Sequence, residues 1–260
     1  CQMKATSDLA VAGGFNAVMV LGDNQYEDAT LARYLASYDP TWGRVKSITH
    51  PIVGNHEYLT PNAAGYYAYF GTAAGDPAKG YYSFELGAWH VIVLNSNCAE
   101  VGGCDPASPQ YQWLIQDLAA HSNDCTLAAW HHPRFSSGAH GDDPITADFW
   151  NALYAARADL ILVGHDHEYE RFAPMAPDAS PDWIGGLRQF VVGTGGKNLR
   201  PFNVPSLGVV ETQNATTHGI LELTLRPDSY DWRFLSASSP TFTDTGTDRC
   251  RKVSAPLYTV

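Results

Sequence analysis

Apolar residues in this chain of 260 residues fall into short continuous runs, and several runs end directly at a polar turn. Runs of four or five apolar residues are typical of strands that are buried on both faces of a sheet. Apolar residues at helical spacing predict helices. Gly13 and Gly14 are expected to end the first of these helices. The predicted strands are residues 17–21, 81–86, 90–95, 126–130, 160–163, 189–192, 218–225 and 230–235. The predicted helices are residues 3–13, 29–38, 110–121 and 146–157.

The order of these elements predicts an α/β fold. Strands alternate with helices early in the chain, and hairpins dominate its later part. We therefore expect a layered mixed α/β sandwich whose loops gather at one edge of a sheet. No Pro/Ser-rich or charged linker divides the chain, so residues 1–260 are expected to form a single domain.

Four polar motifs stand at the ends of apolar runs. They are Gly22-Asp23-Asn24-Gln25-Tyr26, Gly54-Asn55-His56-Glu57, His131-His132-Pro133 and Gly164-His165-Asp166-His167. Carboxylate, phenolate, amide carbonyl and imidazole groups suit a pair of di- or trivalent ions rather than a thiolate zinc site. The four motifs together therefore predict a binuclear metal site on the loops that follow the strands.

The first two motifs also have ordinary structural explanations. Asp23 could cap a turn while Tyr26 packs in the core, and the second motif could be a simple turn. On the metal-site hypothesis, the Asp23 carboxylate bridges two ions and Tyr26 reaches one of them as a phenolate. Asn55 offers a neutral carbonyl oxygen, and His56 points into the site without binding an ion.

The last two motifs contribute histidines. His165 and His167 are two residues apart after a strand, so each can reach a different ion of a pair. Two adjacent histidines on an extended chain face opposite ways, and we therefore expect His131 to be a ligand. His132 is then expected to point away from His131, as an outer or packed residue.

The charge of the chain narrows the classes of partner. The 16 Lys and Arg residues against 27 Asp and Glu residues give a net charge of −11. This balance argues against nucleic acid or an anionic membrane as a partner. It permits an anionic substrate, because bound metal ions can reverse the local field. No run approaches the ~18 apolar residues of a membrane-spanning helix.

The five cysteines favour an exported protein. Cys98 and Cys104 flank a short Gly-rich loop that a disulfide can close. Cys125 and Cys250 form a second predicted disulfide by elimination, which leaves Cys1. Disulfides are typical of secreted or periplasmic proteins. Five buried free thiols in a cytosolic enzyme are the alternative.

The combined motifs resemble those of the calcineurin-like metallophosphoesterases. Asp23-x-x-Tyr26 and Gly164-His165-x-His167-x-Tyr169-Glu170-Arg171 are similar to the purple acid phosphatase branch. The resemblance covers nearly the whole chain and implies a four-layer sandwich of two mixed β-sheets flanked by helices. It also implies two metal ions, iron(III) together with a divalent zinc, iron or manganese ion.

The resemblance implies a role for each motif residue. Six residues would bind metal: Asp23 as the bridge, Tyr26 and His167 at the ferric-type site, and Asn55, His131 and His165 at the divalent site. Two further histidines, His56 and His140, match outer residues that contact phosphate and the leaving group, and are the expected catalytic residues.

One feature departs from the family pattern. The family begins with a strand that ends in an Asp ligand of the ferric-type site, and no residue before Asp23 fits it. Asp8 lies inside the first predicted helix. We therefore expect that this N-terminal strand is missing from the 260 residues and that Cys1 pairs with a cysteine on it.

The expected function is hydrolysis of phosphate monoesters by attack of a metal-activated hydroxide, as in acid phosphatases. Phosphodiesterase or nucleotidase activity on the same scaffold is an alternative. A catalytically silent binding protein is another, if the first Asp ligand is truly absent. The expected partners are a small phosphorylated substrate and inorganic phosphate, without nucleic acid or membrane. The expected location is secreted or periplasmic.

Overall fold

The computed structural model describes residues 2–203, 209–238 and 241–252, so Cys1 lies outside the described residues. The α-helices in these ranges are α1 (Met3–Gly13), α2 (Leu31–Arg33), α3 (Ala64–Phe70), α4 (Pro109–Ala120) and α5 (Ala147–Ala155). The strands are β1 (Val18–Leu21), β2 (Thr49–Ile52), β3 (Tyr82–Leu86), β4 (Trp89–Val93), β5 (Cys125–Ala129), β6 (Leu160–Val163), β7 (Tyr169–Phe172), β8 (Arg188–Val192), β9 (Val210–Asn214), β10 (Gly219–Leu225), β11 (Ser229–Ser236) and β12 (Thr245–Arg249). Short 3₁₀ helices span Trp42–Ile48, Glu57–Leu59, Pro61–Ala63, Gly71–Ala74, Cys98–Glu100 and Pro144–Thr146.

A seven-stranded mixed sheet forms the centre of the fold. Its strand order is β3-β4-β5-β6-β8-β7-β9. The strands from β4 through β5 and β6 to β8 are parallel, and β3, β7 and β9 complete the sheet through antiparallel pairs. The continuous apolar run of β4 is explained by its burial on both faces, since every residue of Trp89–Val93 is buried.

Two smaller sheets face the large one. β1 and β2 form a parallel pair, and β10, β11 and β12 form an antiparallel sheet. The expected layered α/β fold is confirmed, but the second sheet consists of these two separate pieces. Among the described residues, no strand pairs with both β1 and β10.

A groove of about 830 Å³ separates the two pieces of the second sheet. β1 lines one side of it, β10 lines the other, and Val91, Leu127 and Leu162 of the large sheet form its floor. At one end the groove reaches Asp23 and His167. Most of its lining residues are apolar, although Asn16, Glu222 and Thr224 also line it away from that end.

Three hydrophobic clusters hold the layers together. Between the sheets, Trp89 and Phe190 pack against Tyr230 and Trp232. On the outer face of the large sheet, Trp130 and Ile161 pack beneath α4 and α5, in a cluster that includes Leu114 and Trp150. A third cluster, rich in tyrosine, packs α3 and its neighbours against β1 and β2.

Both predicted disulfides are present. Cys98 and Cys104 close the short loop after β4, with their Cα atoms 5.2 Å apart. Cys125 at the start of β5 bonds to Cys250, directly after β12, also with a Cα separation of 5.2 Å. The second disulfide therefore ties the end of the small antiparallel sheet to the middle of the large one.

Several elements differ from the sequence prediction. Only Leu31–Arg33 of the predicted helix 29–38 is α-helical, and Tyr34–Tyr38 is π-helical. The helix predicted over residues 146–157 ends at Ala155. Four strands were not predicted as separate elements, because β2, β7, β9 and β12 carry polar or charged residues or proline instead of a continuous apolar run.

Candidate metal centre

The four motifs meet where parallel strands end. Asp23 follows β1, Asn55 follows β2, His131 follows β5 and His165 follows β6. β1 runs parallel to β2, and β5 runs parallel to β6. The carboxyl ends of parallel strands form one edge of a sheet, where loops from different strands can share a ligand site.

Two glycines allow these loops to touch. A Cβ atom on Gly22 would lie 2.2 Å from Nδ1 of His131, and one on Gly54 would lie 2.3 Å from the backbone nitrogen of Asp23. Gly22 also has a φ of 85°, which residues with a side chain rarely adopt. The glycine that opens each of the first two motifs is therefore required by the packing of the site.

Three side chains, those of Asn55, His131 and His165, converge on one side of Asp23. Nε2 of His131 lies 3.1 Å from Oδ1 of Asn55, 3.4 Å from Oδ1 of Asp23 and 3.2 Å from Nδ1 of His165. Nδ1 of His131 donates to the Leu21 carbonyl at 2.7 Å, so in the neutral ring Nε2 carries a lone pair. Electron-pair donors thus face one another at this point, an arrangement that calls for a cation.

The electrostatics of the same residues agree with this geometry. Burial alone would lower the pKa of His131, but the Asp23 carboxylate outweighs it and raises this pKa. Although burial opposes it, the neighbouring His131 holds the pKa of Asp23 well below its usual range. Burial, reinforced by His131, lowers the pKa of His165 to about 2. His165 is therefore neutral and keeps a lone pair for an ion.

Two side chains converge on the other side of Asp23. The Tyr26 hydroxyl lies 3.0 Å from Oδ2 of Asp23 and 3.1 Å from Nε2 of His167. Nδ1 of His167 donates to the Asn198 carbonyl at 2.9 Å, which leaves Nε2 with its lone pair. Burial, followed by the Asp23 charge, raises the pKa of Tyr26 far above its usual value.

These two groups fit a pair of metal ions. Ligand atoms at about 2.0–2.2 Å from one ion lie roughly 3 Å apart, close to the separations of 3.0 to 3.4 Å between the donor atoms in both groups. Two histidines have their other ring nitrogen fixed by a backbone carbonyl, as is common for metal-binding histidines. The structure thus brings all six predicted ligands together, with Asp23 shared by both groups.

The two predicted catalytic histidines border this centre. Nε2 of His56 lies 4.0 Å from Oδ2 of Asp23, and the ring of His56 packs 4.5 Å from that of Tyr26. The ring of His140 lies 4.1 Å from that of His165 and is exposed to solvent. Both rings are therefore placed next to the ligand groups, His140 on the solvent side.

Two cationic side chains at the centre were missed by the sequence analysis. Nη1 of Arg200 lies 2.6 Å from Nε2 of His140, and Nζ of Lys197 lies 4.1 Å from the centre of the Tyr26 ring. Both residues follow β8, outside the four motifs. The one sequence signal for Lys197 and Arg200 is that they closely follow the glycine-rich segment Gly193–Gly196.

The prediction that His132 points away from His131 is wrong. The chain bends at these residues, the two rings lie 4.9 Å apart, and the ring of His132 lies 4.5 Å from that of His165. One donor atom from each of these three histidines lies within 4.8 Å of the others. Nδ1 of His132 is 2.8 Å from the Ser96 hydroxyl, which holds the ring at the edge of the group.

Glu57 holds the loops of the first two motifs together, and the sequence predicted no role for it. Its buried carboxylate accepts backbone hydrogen bonds from Asp23 and Asn24 at 2.9 Å each and from Gly54 at 2.7 Å. The Tyr34 hydroxyl donates to it at 3.0 Å. Burial and the charge of Asp23 raise the pKa of Glu57 to about 7. Glu57 therefore joins the first two motifs.

The sequence was also compared with known proteins. A sequence model of the calcineurin-like phosphoesterases matches residues 3–169. Probable purple acid phosphatase 20 from Arabidopsis thaliana is 34% identical over 113 residues, which cover 40% of this chain and 26% of that protein. Human acid phosphatase type 7 is 27% identical over 188 residues, 63% of this chain and 42% of that protein. The chain thus spans less than half the length of these curated relatives.

Solved structures show the same fold. The purple acid phosphatase PPD1 from yellow lupin seeds superposes with a TM-score of 0.78 at 18% identity, covering 94% of this chain and 48% of that chain. GAP50, described as the anchor in the inner membrane complex of Plasmodium, superposes with a TM-score of 0.65 at 12% identity, covering 94% and 82%. In the described part of the chain, no helix is long and apolar enough to cross a membrane.

Proposed function

Because this chain belongs to the calcineurin-like phosphoesterase family, we propose that its metal centre hydrolyses phosphate monoesters, as acid phosphatases do. The observation that carries this proposal is the position of Asp23, whose two oxygens each face a separate group of ligand atoms. Asn55, His131 and His165 stand on one side, and Tyr26 and His167 stand on the other.

The proposed cofactor is a pair of ions, iron(III) beside Tyr26 and a divalent zinc, iron or manganese ion beside His131. A phenolate and a carboxylate are hard oxygen ligands that suit iron(III), whereas imidazole with a neutral amide suits a divalent ion. When bound, such a pair activates water and neutralises the charge of phosphate oxygens.

The residues around the ions would bind and orient the phosphate. The Arg200 guanidinium stands beside His140, and the Lys197 ammonium stands over the Tyr26 ring. Arginine offers paired N–H donors that match phosphate oxygens. These cations would hold an anionic substrate on the solvent side of the centre, although the whole chain carries a negative charge.

The two outer histidines would handle the proton of the leaving group. Nδ1 of His56 lies 2.5 Å from the Glu27 carbonyl, which fixes the ring so that Nε2 faces the centre. His140 is exposed and can exchange protons with solvent. A histidine within hydrogen-bonding reach of the leaving oxygen can act as the general acid, and typically accelerates the reaction 10²- to 10⁴-fold.

An aryl phosphate assay on the metal-loaded protein tests this function. We expect turnover of the monoester to exceed that of the matching aryl diester, and His56→Ala and His140→Ala to lower it by about 10²-fold or more with both ions still bound. His50→Gln, which changes a histidine stacked on Phe84, is the control and should keep wild-type turnover.

The alternatives give different results in the same assay. Preference for the diester or for a nucleotide would favour a phosphodiesterase or nucleotidase on this scaffold. Two bound ions without turnover of any phosphoester would favour a binding protein and overturn the proposal.

The groove between β1 and β10 fits an additional strand better than it fits a phosphate. Its walls are apolar along most of its length, and strand edges face it from both sides. An extended strand lying there would end beside Asp23 and His167. We propose that such a strand supplies the further carboxylate that the resemblance predicts for the ferric-type site.

The remaining expectations are also proposals. A small phosphorylated substrate and inorganic phosphate are the proposed ligands, without nucleic acid or membrane as partners. Two disulfides support a secreted or periplasmic location. We also retain the proposal that residues 1–260 form one catalytic domain.

A further inference from the structure

A second group of metal-binding side chains lies at the opposite end of the large sheet. It consists of Glu85, His90, Asp117 and His121, here called the hairpin cluster. Glu85 and His90 face each other across the β3–β4 hairpin, and Asp117 and His121 lie at the end of α4. His90 pairs in register with Thr126 near the start of β5, whereas the metal centre lies beyond the end of β5.

Three donor atoms of the hairpin cluster converge. Nδ1 of His90 lies 2.8 Å from Oε1 of Glu85, and Nε2 of His121 lies 4.0 Å from the same oxygen. One donor atom from each of these three residues lies within 4.8 Å of the others. The two imidazole rings stack with centroids 3.9 Å apart and planes 14° apart. Because an imidazole lone pair lies in its ring plane, the rings would turn out of this stack to bring all three atoms to about 2.0–2.2 Å from one ion.

In each of these three residues, the second nitrogen or oxygen atom of the side chain already has a hydrogen-bond partner. Nε2 of His90 lies 2.7 Å from Oδ2 of Asp117, and Nδ1 of His121 lies 2.7 Å from the Asp117 carbonyl. Asn123 donates to Oε2 of Glu85 at 2.7 Å. Histidines that bind metal commonly donate their second N–H to a carboxylate or a backbone carbonyl, which orients the ring. Both histidines of the cluster follow this pattern.

The tautomer of His121 follows from its partner. A carbonyl oxygen can only accept, so Nδ1 of His121 must carry the hydrogen, and in the neutral ring Nε2 carries a lone pair. That lone pair and the Glu85 carboxylate oxygen lie on the same side of the cluster. A proton on Nδ1 of His90 would bond only His90 to Glu85. A divalent ion would bind the donor atoms of Glu85, His90 and His121 together.

The burial of the cluster also suits a metal site. The side chains of His90 and Asp117 are 2% and 7% exposed, which makes a rigid base. The side chains of Glu85 and His121 are 46% and 35% exposed, so an ion can enter from solvent. Two imidazoles and one carboxylate form a set that zinc and similar divalent transition metals prefer over magnesium or calcium.

We propose that Glu85, His90 and His121 bind a zinc-like divalent ion at a site separate from the phosphatase centre, with Asp117 and Asn123 orienting the ligands. Solvent would complete the coordination. The ion would join the β3–β4 hairpin to the end of α4, two elements that are distant in sequence.

Zinc binding in chelator-buffered solution tests this proposal on the intact protein. We expect wild type to bind one zinc ion more than His121→Ala or Glu85→Gln, measured by equilibrium dialysis and elemental analysis. Glu100→Gln removes another exposed carboxylate and should bind as wild type does. Asn123→Ala should weaken this zinc about tenfold, because it removes only an orienting hydrogen bond.

A second background separates the two sites. His165→Ala/His167→Ala impairs the phosphatase centre and should still gain thermal stability on addition of zinc, because an ion that binds only the folded state stabilises it. Adding His121→Ala to this background should abolish the gain, while His121→Ala alone should leave aryl phosphate turnover unchanged. The proposal is overturned if His121→Ala and wild type bind equal numbers of zinc ions, or if the gain persists in the triple variant.

Discussion

Glu57 shows how a side chain outside the two ligand groups controls their positions. It accepts four backbone hydrogen bonds from the loops of the first two motifs, and the Tyr34 hydroxyl donates a fifth. We predict that Glu57→Gln lowers the free energy of unfolding by about 2–3 kcal/mol. The NH₂ group of the glutamine would face buried backbone N–H groups that need an acceptor. Urea denaturation measures this change.

The matched control for that prediction is Glu100→Gln on the surface. It should change stability by less than about 0.5 kcal/mol. If Glu57→Gln were as stable as wild type and bound the same number of ions, the loops would not depend on this carboxylate.

His167 and His132 differ in what their loss should do. Nε2 of His167 faces Tyr26 at the edge of Asp23, so His167→Ala should cost one bound ion and nearly all turnover. His132 is held by Ser96 beside the other group, and His132→Ala should keep both ions and lower turnover by about 10- to 100-fold. Metal content and turnover of both variants measure this difference. Loss of an ion from His132→Ala but not from His167→Ala would contradict the ligand assignment.

At the residue level, the sequence predicted the side chains that stand directly after apolar runs. Asp23, Asn55, His131 and His165 fall in this class, because the end of a buried strand is visible in the hydrophobic pattern. Glu57 and Arg200 could not be assigned in this way. Their roles depend on which loops meet in space, and a linear pattern does not record that.

Among the elements, the two disulfides constrain loops of very different length. Cys125 and Cys250 are 125 residues apart, whereas Cys98 and Cys104 are 6 residues apart. Loop-closure entropy predicts that replacing the long-range pair by alanine costs about 5 kcal/mol and replacing the short-range pair about 2 kcal/mol. Denaturation of the two double variants compares these costs. Equal losses, or a greater loss from the short loop, would contradict the entropic account.

The elements that were predicted well are those with uniform burial. β6 was predicted with its observed bounds because all of its residues are apolar and buried. β12 has the sequence TGTDR and gives no hydrophobic signal, since its pairing with β11 supplies its order. The π-helical turn at Tyr34–Tyr38 was also beyond prediction, because Tyr34 is fixed by its bond to Glu57 and by ring packing against Tyr69.

At the scale of the whole molecule, the layered arrangement places the candidate centre at the edge where the ends of β1, β2, β5 and β6 meet. Four side chains converge on the His131 side of Asp23, including Asp23 itself, and three on the Tyr26 side. With these described side chains as the ligands, the His131 side should therefore hold its ion more firmly. A strand in the groove between β1 and β10 would reduce this difference by adding a carboxylate.

The most direct test of the binuclear centre is anomalous diffraction from crystals of the metal-loaded protein. The two-ion account predicts two peaks about 3.5–4 Å apart, one beside each carboxylate oxygen of Asp23, with the peak near His131 the more fully occupied. A further peak at the hairpin cluster would belong to the second proposed metal site and would not bear on the binuclear centre. A single peak at Asp23, or two peaks that do not share its carboxylate, would contradict the account.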